Sequence, residues 1–108
     1  MPTKEAVWIA YDLGLDGDYE NLFHWLDVHE AKECGPNLAF FLHEYGDELP
    51  MQLLGDMQKS IEIRPKDRIY AVWARSGQAI GLFLTGGRKQ SPWAGYAVKE
   101  TGTVEDKA

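Results

Sequence analysis

The spacing of apolar and polar positions changes period several times along this chain, and each change marks an element. Over residues 6–13 the period is two: Val7, Ile9 and Tyr11 point one way and Trp8, Ala10 and Asp12 the other. That predicts a strand whose faces are both largely apolar. Asp18 then supplies an N-cap, and Tyr19, Leu22, Phe23 and Leu26 recur at the spacing of one helical stripe, predicting a helix to about His29. Cys34-Gly35-Pro36-Asn37 breaks the chain, with a short extra strand near residues 31–33, and Leu38 to Tyr45 reads as the next long strand. Asp47 caps a second helix whose first turn holds Pro50, where a missing N–H costs little. Leu49, Leu53, Met57 and Ile61 form its buried stripe, and Gln52, Asp56 and Lys59 face water.

Pro65 disfavours helix in the residue before it and ends this element. Residues 68–74 predict a third strand, and Ser76-Gly77 makes a tight turn into a fourth over residues 78–85, so the last two form an antiparallel hairpin. The order is strand, helix, strand, helix, strand, strand, an α+β pattern. Two helices can cover one face of such a sheet, yet Trp8, Phe40, Phe41, Tyr70, Val72, Trp73, Phe83 and Leu84 supply bulk to both. The second face needs a cover, from the segment Ser91-Pro92-Trp93-Ala94-Gly95-Tyr96 folding back or from a second chain, and a homodimer is the favoured solution.

Composition narrows the class. With 108 residues the chain is expected to form one domain over residues 1–97, with a frayed charged tail over 98–108. No apolar stretch approaches the roughly 20 residues of a bilayer crossing, so no membrane role is expected. Met1-Pro2-Thr3-Lys4-Glu5 leads straight into a strand without a leader pattern, and the lone Cys34 excludes an internal disulfide, so a cytoplasmic location is expected. The formal charge of −6 disfavours nonspecific nucleic-acid binding, which draws on a basic footprint. Basic residues gather only around Arg64, Lys66 and Arg68, and at Arg88-Lys89.

The main candidate for chemistry is Asp12, at the mouth of the first strand and followed by the acidic turn Asp16-Gly17-Asp18. A rigid strand can hold one carboxylate while a loop adds oxygen ligands, which suits Mg²⁺ or Mn²⁺. The favoured reading is plainer: Asp and Gly cluster in turns because they accept local hydrogen bonds, and Asp18 already caps a helix. His24 and His29 are five apart, on different helix faces, and with His43 they read as surface or satisfied core residues. Cys34, beside Gly35-Pro36, reads as an inert thiol. In Gly86-Gly87-Arg88-Lys89 and the aromatic residues beyond, Arg88 and Lys89 offer anion donors, and Trp93 and Tyr96 offer stacking surfaces. The loop lacks phosphate-cradle spacing, and its favoured role is to pin the C-terminal segment to the sheet through Trp93 and Tyr96.

The strand ending in Tyr11-Asp12, the amphipathic helix after it, Leu38 to Glu44, the second helix and the entry Asp67-Arg68-Ile69-Tyr70 together resemble the ferredoxin-like family of the smaller CRISPR spacer-integration protein and related toxin-type endoribonucleases. The resemblance covers about residues 6–75. It implies a ferredoxin-like two-layer sandwich, an antiparallel sheet with two helices on one face, and a divalent ion held at a dimer interface by the matching aspartate, Asp12. Two functions follow as expectations. The favoured one is a non-catalytic homodimeric interaction module using the aromatic sheet face and the loop over residues 86–96. The alternative is a metal-dependent, nucleic-acid-associated protein in which Asp12 holds the ion while Arg88 and Lys89 hold phosphate.

Overall fold

The computed structural model describes residues 3–45, 48–87 and 90–97. Seven elements follow one another: β1 (Thr3–Asp12), α1 (Tyr19–Val28), β2 (Lys32–Gly35), β3 (Leu38–Tyr45), α2 (Leu49–Ser60), β4 (Arg68–Arg75) and β5 (Gln78–Thr85). The strands form one five-stranded sheet in the order β2-β3-β1-β4-β5, and every neighbouring pair is antiparallel. α1 therefore joins two parallel strands, β1 and β2, with β3 between them, and α2 joins β3 and β4 with β1 between them. The extra strand falls at Lys32–Gly35, one residue later than its apolar pattern indicates. It pairs only with the first half of β3.

β1 is the central strand, and its alternation sets the two layers. Val7 and Ile9 are fully buried against the helices, opposite Phe41 and Ala39 on one side and Trp73 and Ala71 on the other. α2 contributes Leu49, Leu53, Met57 and the following Ile61, all buried, as the four-residue spacing requires. α1 departs from its predicted stripe. Leu22 and Leu26 are buried, but Trp25 takes the third core position and Phe23 is 53% exposed beside Tyr11 and Tyr19. The predicted 19-22-23-26 stripe lies about one helical step from the face that packs, because Trp25 supplies more apolar area to the core.

The helix ends are specified locally. Asp18 Oδ1 accepts from the Asn21 backbone N–H, the N-cap read from the sequence. At the other end Ala31 N–H donates to Leu26 O and Glu30 N–H to Asp27 O, with Glu30 at φ 56°. This is a Schellman closure with a glutamate in the left-handed position that glycine favours. The expected cap Asp47 lies outside the described residues; Glu48 occupies the N-cap of α2 without a side-chain cap bond, and a proline sits in the first turn. In the β4–β5 turn Ser76 and Gly77 have φ 54° and 78°, the paired positive values of a type I′ hairpin. Gly86 is also fixed: at φ 76° its Cβ position falls 2.2 Å from Asp67 O, so no side chain fits.

Two stability measurements test this account. By chemical denaturation Leu22→Ala and Leu53→Ala should each cost about 2–5 kcal/mol, since both side chains are fully buried. Glu30→Gly should stabilise the fold by about 1 kcal/mol by relieving the left-handed backbone. A neutral or destabilising result would mean that Glu30 makes a compensating contact.

Candidate functional site

The even-numbered residues of β1 point away from the helices, and the ladder aligns them with like-facing neighbours. Phe40, Trp8, Val72 and Gly81 form one row across the sheet; Leu38, Ala10, Tyr70 and Phe83 form the next. Trp8 and Phe40 rings lie 5.1 Å apart, and Tyr70 and Phe83 meet edge to face at 4.9 Å. Gly81 is needed here, because a Cβ would fall 2.6 Å from the Tyr70 hydroxyl. No described element covers this face, and Trp8 remains 36% exposed with Leu42 and Phe83 more so.

At the β5 side of the face, residues 90–93 stand over the sheet and enclose a cleft of about 510 Å³ with Arg68, Tyr70 and Phe83. Arg68 lies on the same face, across the ladder from Asp12, with its guanidinium carbon 5.6 Å from the Phe83 ring centre. Its Nε is buried and has no hydrogen-bond partner among the described residues. Trp93 lines this cleft but is 71% exposed, and Tyr96 is 57% exposed. Residues 90–93 border the face at its β5 corner, and Trp8 remains partly open beyond them. Arg88 and Lys89 lie outside the described residues.

Asp12 sits at the predicted strand end, exposed, with Oδ1 accepting from Gly14 N–H at 3.1 Å, the local turn bond of the plainer reading. Asp18 is held by structure: Oδ1 and Oδ2 accept from Asn21, and Oδ2 accepts from Glu62 N–H at 2.9 Å. The Glu62 bond, with the Asn21 bonds, lowers the Asp18 carboxyl below its ordinary range. Arg64 donates to Asp16 O and further clamps this turn to the chain after α2. Among the described residues no three His, Cys, Asp or Glu side chains gather in metal-binding geometry.

The histidines divide as their spacing predicts. His24 is exposed, whereas His29 lies between the helices with Nδ1 at 2.8 Å from Trp25 O and Nε2 at 3.3 Å from Asp56 Oδ2. Asp56 also accepts from Trp25 Nε1 at 3.0 Å. The prediction that Asp56 faces water is thus corrected: it is half-buried, because the Trp25 indole N–H donates to it and the His29 ring lies against it. His43 stacks beside His29 at 6.4 Å. Cys34 is exposed on β2, its thiol donating to Lys32 O.

Arg68, Tyr70 and Phe83 were readable as strand residues, but nothing in the sequence marks them as one site. The signal that could have found them is the two-residue turn at Ser76-Gly77, since counting outward from it sets Tyr70 against Phe83. Comparison with family models, with curated proteins and with solved structures finds no match to this chain. No helix of the described residues is long and apolar enough to cross a membrane.

Burial, then the neighbouring His29, holds the His43 imidazole below its ordinary value, against the pull of Asp56 and Glu44. The folded state therefore resists protonation at His43. This contribution to stability is intact above the unfolded value of about 6.5 and falls away as pH drops below it. Thermal unfolding between about pH 7.5 and 5.5 should show a falling Tm, and His43→Gln should flatten that slope. An unchanged slope in the variant would assign the effect to other groups.

Proposed function

We propose that this chain is a ferredoxin-like, non-catalytic interaction module whose open sheet face is covered by a second copy. The single observation behind this reading is the uncovered apolar surface built by Trp8, Phe40 and Leu42, away from the corner that residues 90–93 border. The ferredoxin-like plan is supported by the two crossovers, each joining parallel strands around one antiparallel neighbour, with β5 as an addition at the β4 edge. The four strands β2, β3, β1 and β4, at about 4.8 Å spacing and of four to ten residues at about 3.3 Å each, span on the order of 500 Å², somewhat under one partner's share of about 800 Å² in a standard interface.

Charge supports a second copy as the occupant. Lys4 and Asp12 lie four residues to either side of Trp8, on the same face of β1, and both are exposed. A twofold axis crossing the strands at Trp8 reverses one sheet over the other, bringing Lys4 of each copy toward Asp12 of its mate. The stacked centre is then aromatic and its ends are oppositely charged. The nucleic-acid reading has less support: Asp12 already accepts from its own turn, and the chain's charge of −6 opposes phosphate.

Light scattering at about 100 μM should give twice the 12.2 kDa chain mass, and Trp8→Glu should give a monomer with little change in Tm. Lys4→Glu should weaken the dimer, and adding Asp12→Lys should restore it. A monomeric unmodified chain at that concentration would sink the reading, and failure of the charge swap would reject this axis.

A further inference from the structure

The cleft beside β5 has a chemistry that self-association leaves unused. Its floor is Tyr70 and Phe83 in edge-to-face contact, its outer wall is Trp93 with Pro92, and its polar groups include Arg68, Gln90 and Ser91. A second hollow of about 350 Å³ shares Arg68, Tyr70 and Phe83 and continues toward Asp12 and Asn37. The 510 Å³ of the main cleft falls in the range of small-molecule sites, which are concave, mostly apolar and furnished with few oriented polar groups.

Arg68 determines what fits. It is the one cation among the described residues lining the main cleft. The Arg68 Nε is shut off from solvent without an acceptor and the guanidinium carbon stands over the Phe83 ring, so the cation is partly desolvated and a ligand acceptor that reaches its terminal nitrogens gains more than at a solvated arginine. The planar guanidinium matches a carboxylate through two parallel bonds, one positive charge against one negative. The rings of Phe83 and Tyr70 and the exposed indole of Trp93 offer flat apolar surfaces beside that cation.

We propose that this cleft binds a small, flat aromatic monocarboxylate, its acid group on the Arg68 guanidinium and its ring between the Tyr70–Phe83 pair and Trp93. This rests on the reading of the open face as a binding surface and not on its dimerisation, because one chain supplies every lining group. Asp12, opposite Arg68 in the ladder, is the local rival for the guanidinium; its Oδ1 is engaged with Gly14.

The test follows the Arg68 Nε–H and Trp93 indole N–H resonances by NMR as indole-3-carboxylate is added to the full chain, with indole-3-carboxamide and AMP as comparisons. Both resonances should move and saturate with the carboxylate, and the carboxamide should bind at least about tenfold more weakly. Arg68→Gln should weaken carboxylate binding by a similar factor, and Trp93→Ala should weaken it while leaving the fold unchanged by thermal unfolding. The carboxamide comparison uses the unmodified chain, so poor folding of Arg68→Gln does not remove the test. Equal binding of the carboxamide, tighter binding of AMP, or no shift by about 10 mM carboxylate would overturn the proposal. Light scattering reads the Trp8 patch and this titration reads Arg68, so the two readings fail separately.

Discussion

Two helices shield one face of this sheet, and almost everything else in the molecule follows from that limit. A strand exposes alternate side chains to opposite sides, so burying Val7 and Ile9 of β1 against the helices necessarily turns Trp8 and Ala10 outward. Polar residues stand only toward the ends of this face, as at Lys4, Asp12 and Arg68, and its centre is apolar. Phe40, Leu42, Tyr70 and Phe83 share the outward side, leaving an apolar surface of the kind that marks association or ligand sites. Residues 90–93 border one corner of it, and that partial cover creates the Arg68 cleft.

On the covered side the helices are held together by directional bonds as well as by packing. Trp25 is both a core ring, 5.3 Å from Phe41, and a donor to Asp56 on α2. His29, one turn later on α1, meets the same Asp56 oxygen. One half-buried carboxylate thus accepts from the Trp25 indole and lies against the His29 ring, which fixes the rotation of α1 and explains why Trp25 displaces Phe23 from the core. Asp18 plays a matching part at the opposite end of α1, capping the helix and accepting from Glu62 after α2. The acidic residues that invite a metal reading in the sequence are in part the pins of the helical layer.

How much could be read beforehand varies with the range of the interaction. The stripe Leu49, Leu53, Met57 and Ile61, the Asp18 cap, the Ser76-Gly77 hairpin and the alternation of β1 are all local, and each stands as the residue spacing requires. Trp93 was legible as a candidate because exposed-type aromatics in a glycine-rich loop are unusual by composition alone. Arg68 was not, since its significance depends on Phe83, fifteen positions away, and on residues 90–93 closing over both. Asp56 was misjudged for the same reason: the Trp25 indole that draws it inward sits on another helix.

Residue spacing alone specifies the kind and order of the elements, the Asp18 cap, the Ser76-Gly77 turn and the lack of a helical cover on one sheet face. These depend on periodicity, on backbone preference and on counting apolar side chains, all properties of short stretches of chain. The strand order β2-β3-β1-β4-β5, the helix face chosen by α1 and the meeting of Arg68 with Tyr70, Phe83 and Trp93 emerge from long-range packing. Those depend on which distant surfaces pack best against each other, a comparison that no local window of residues contains.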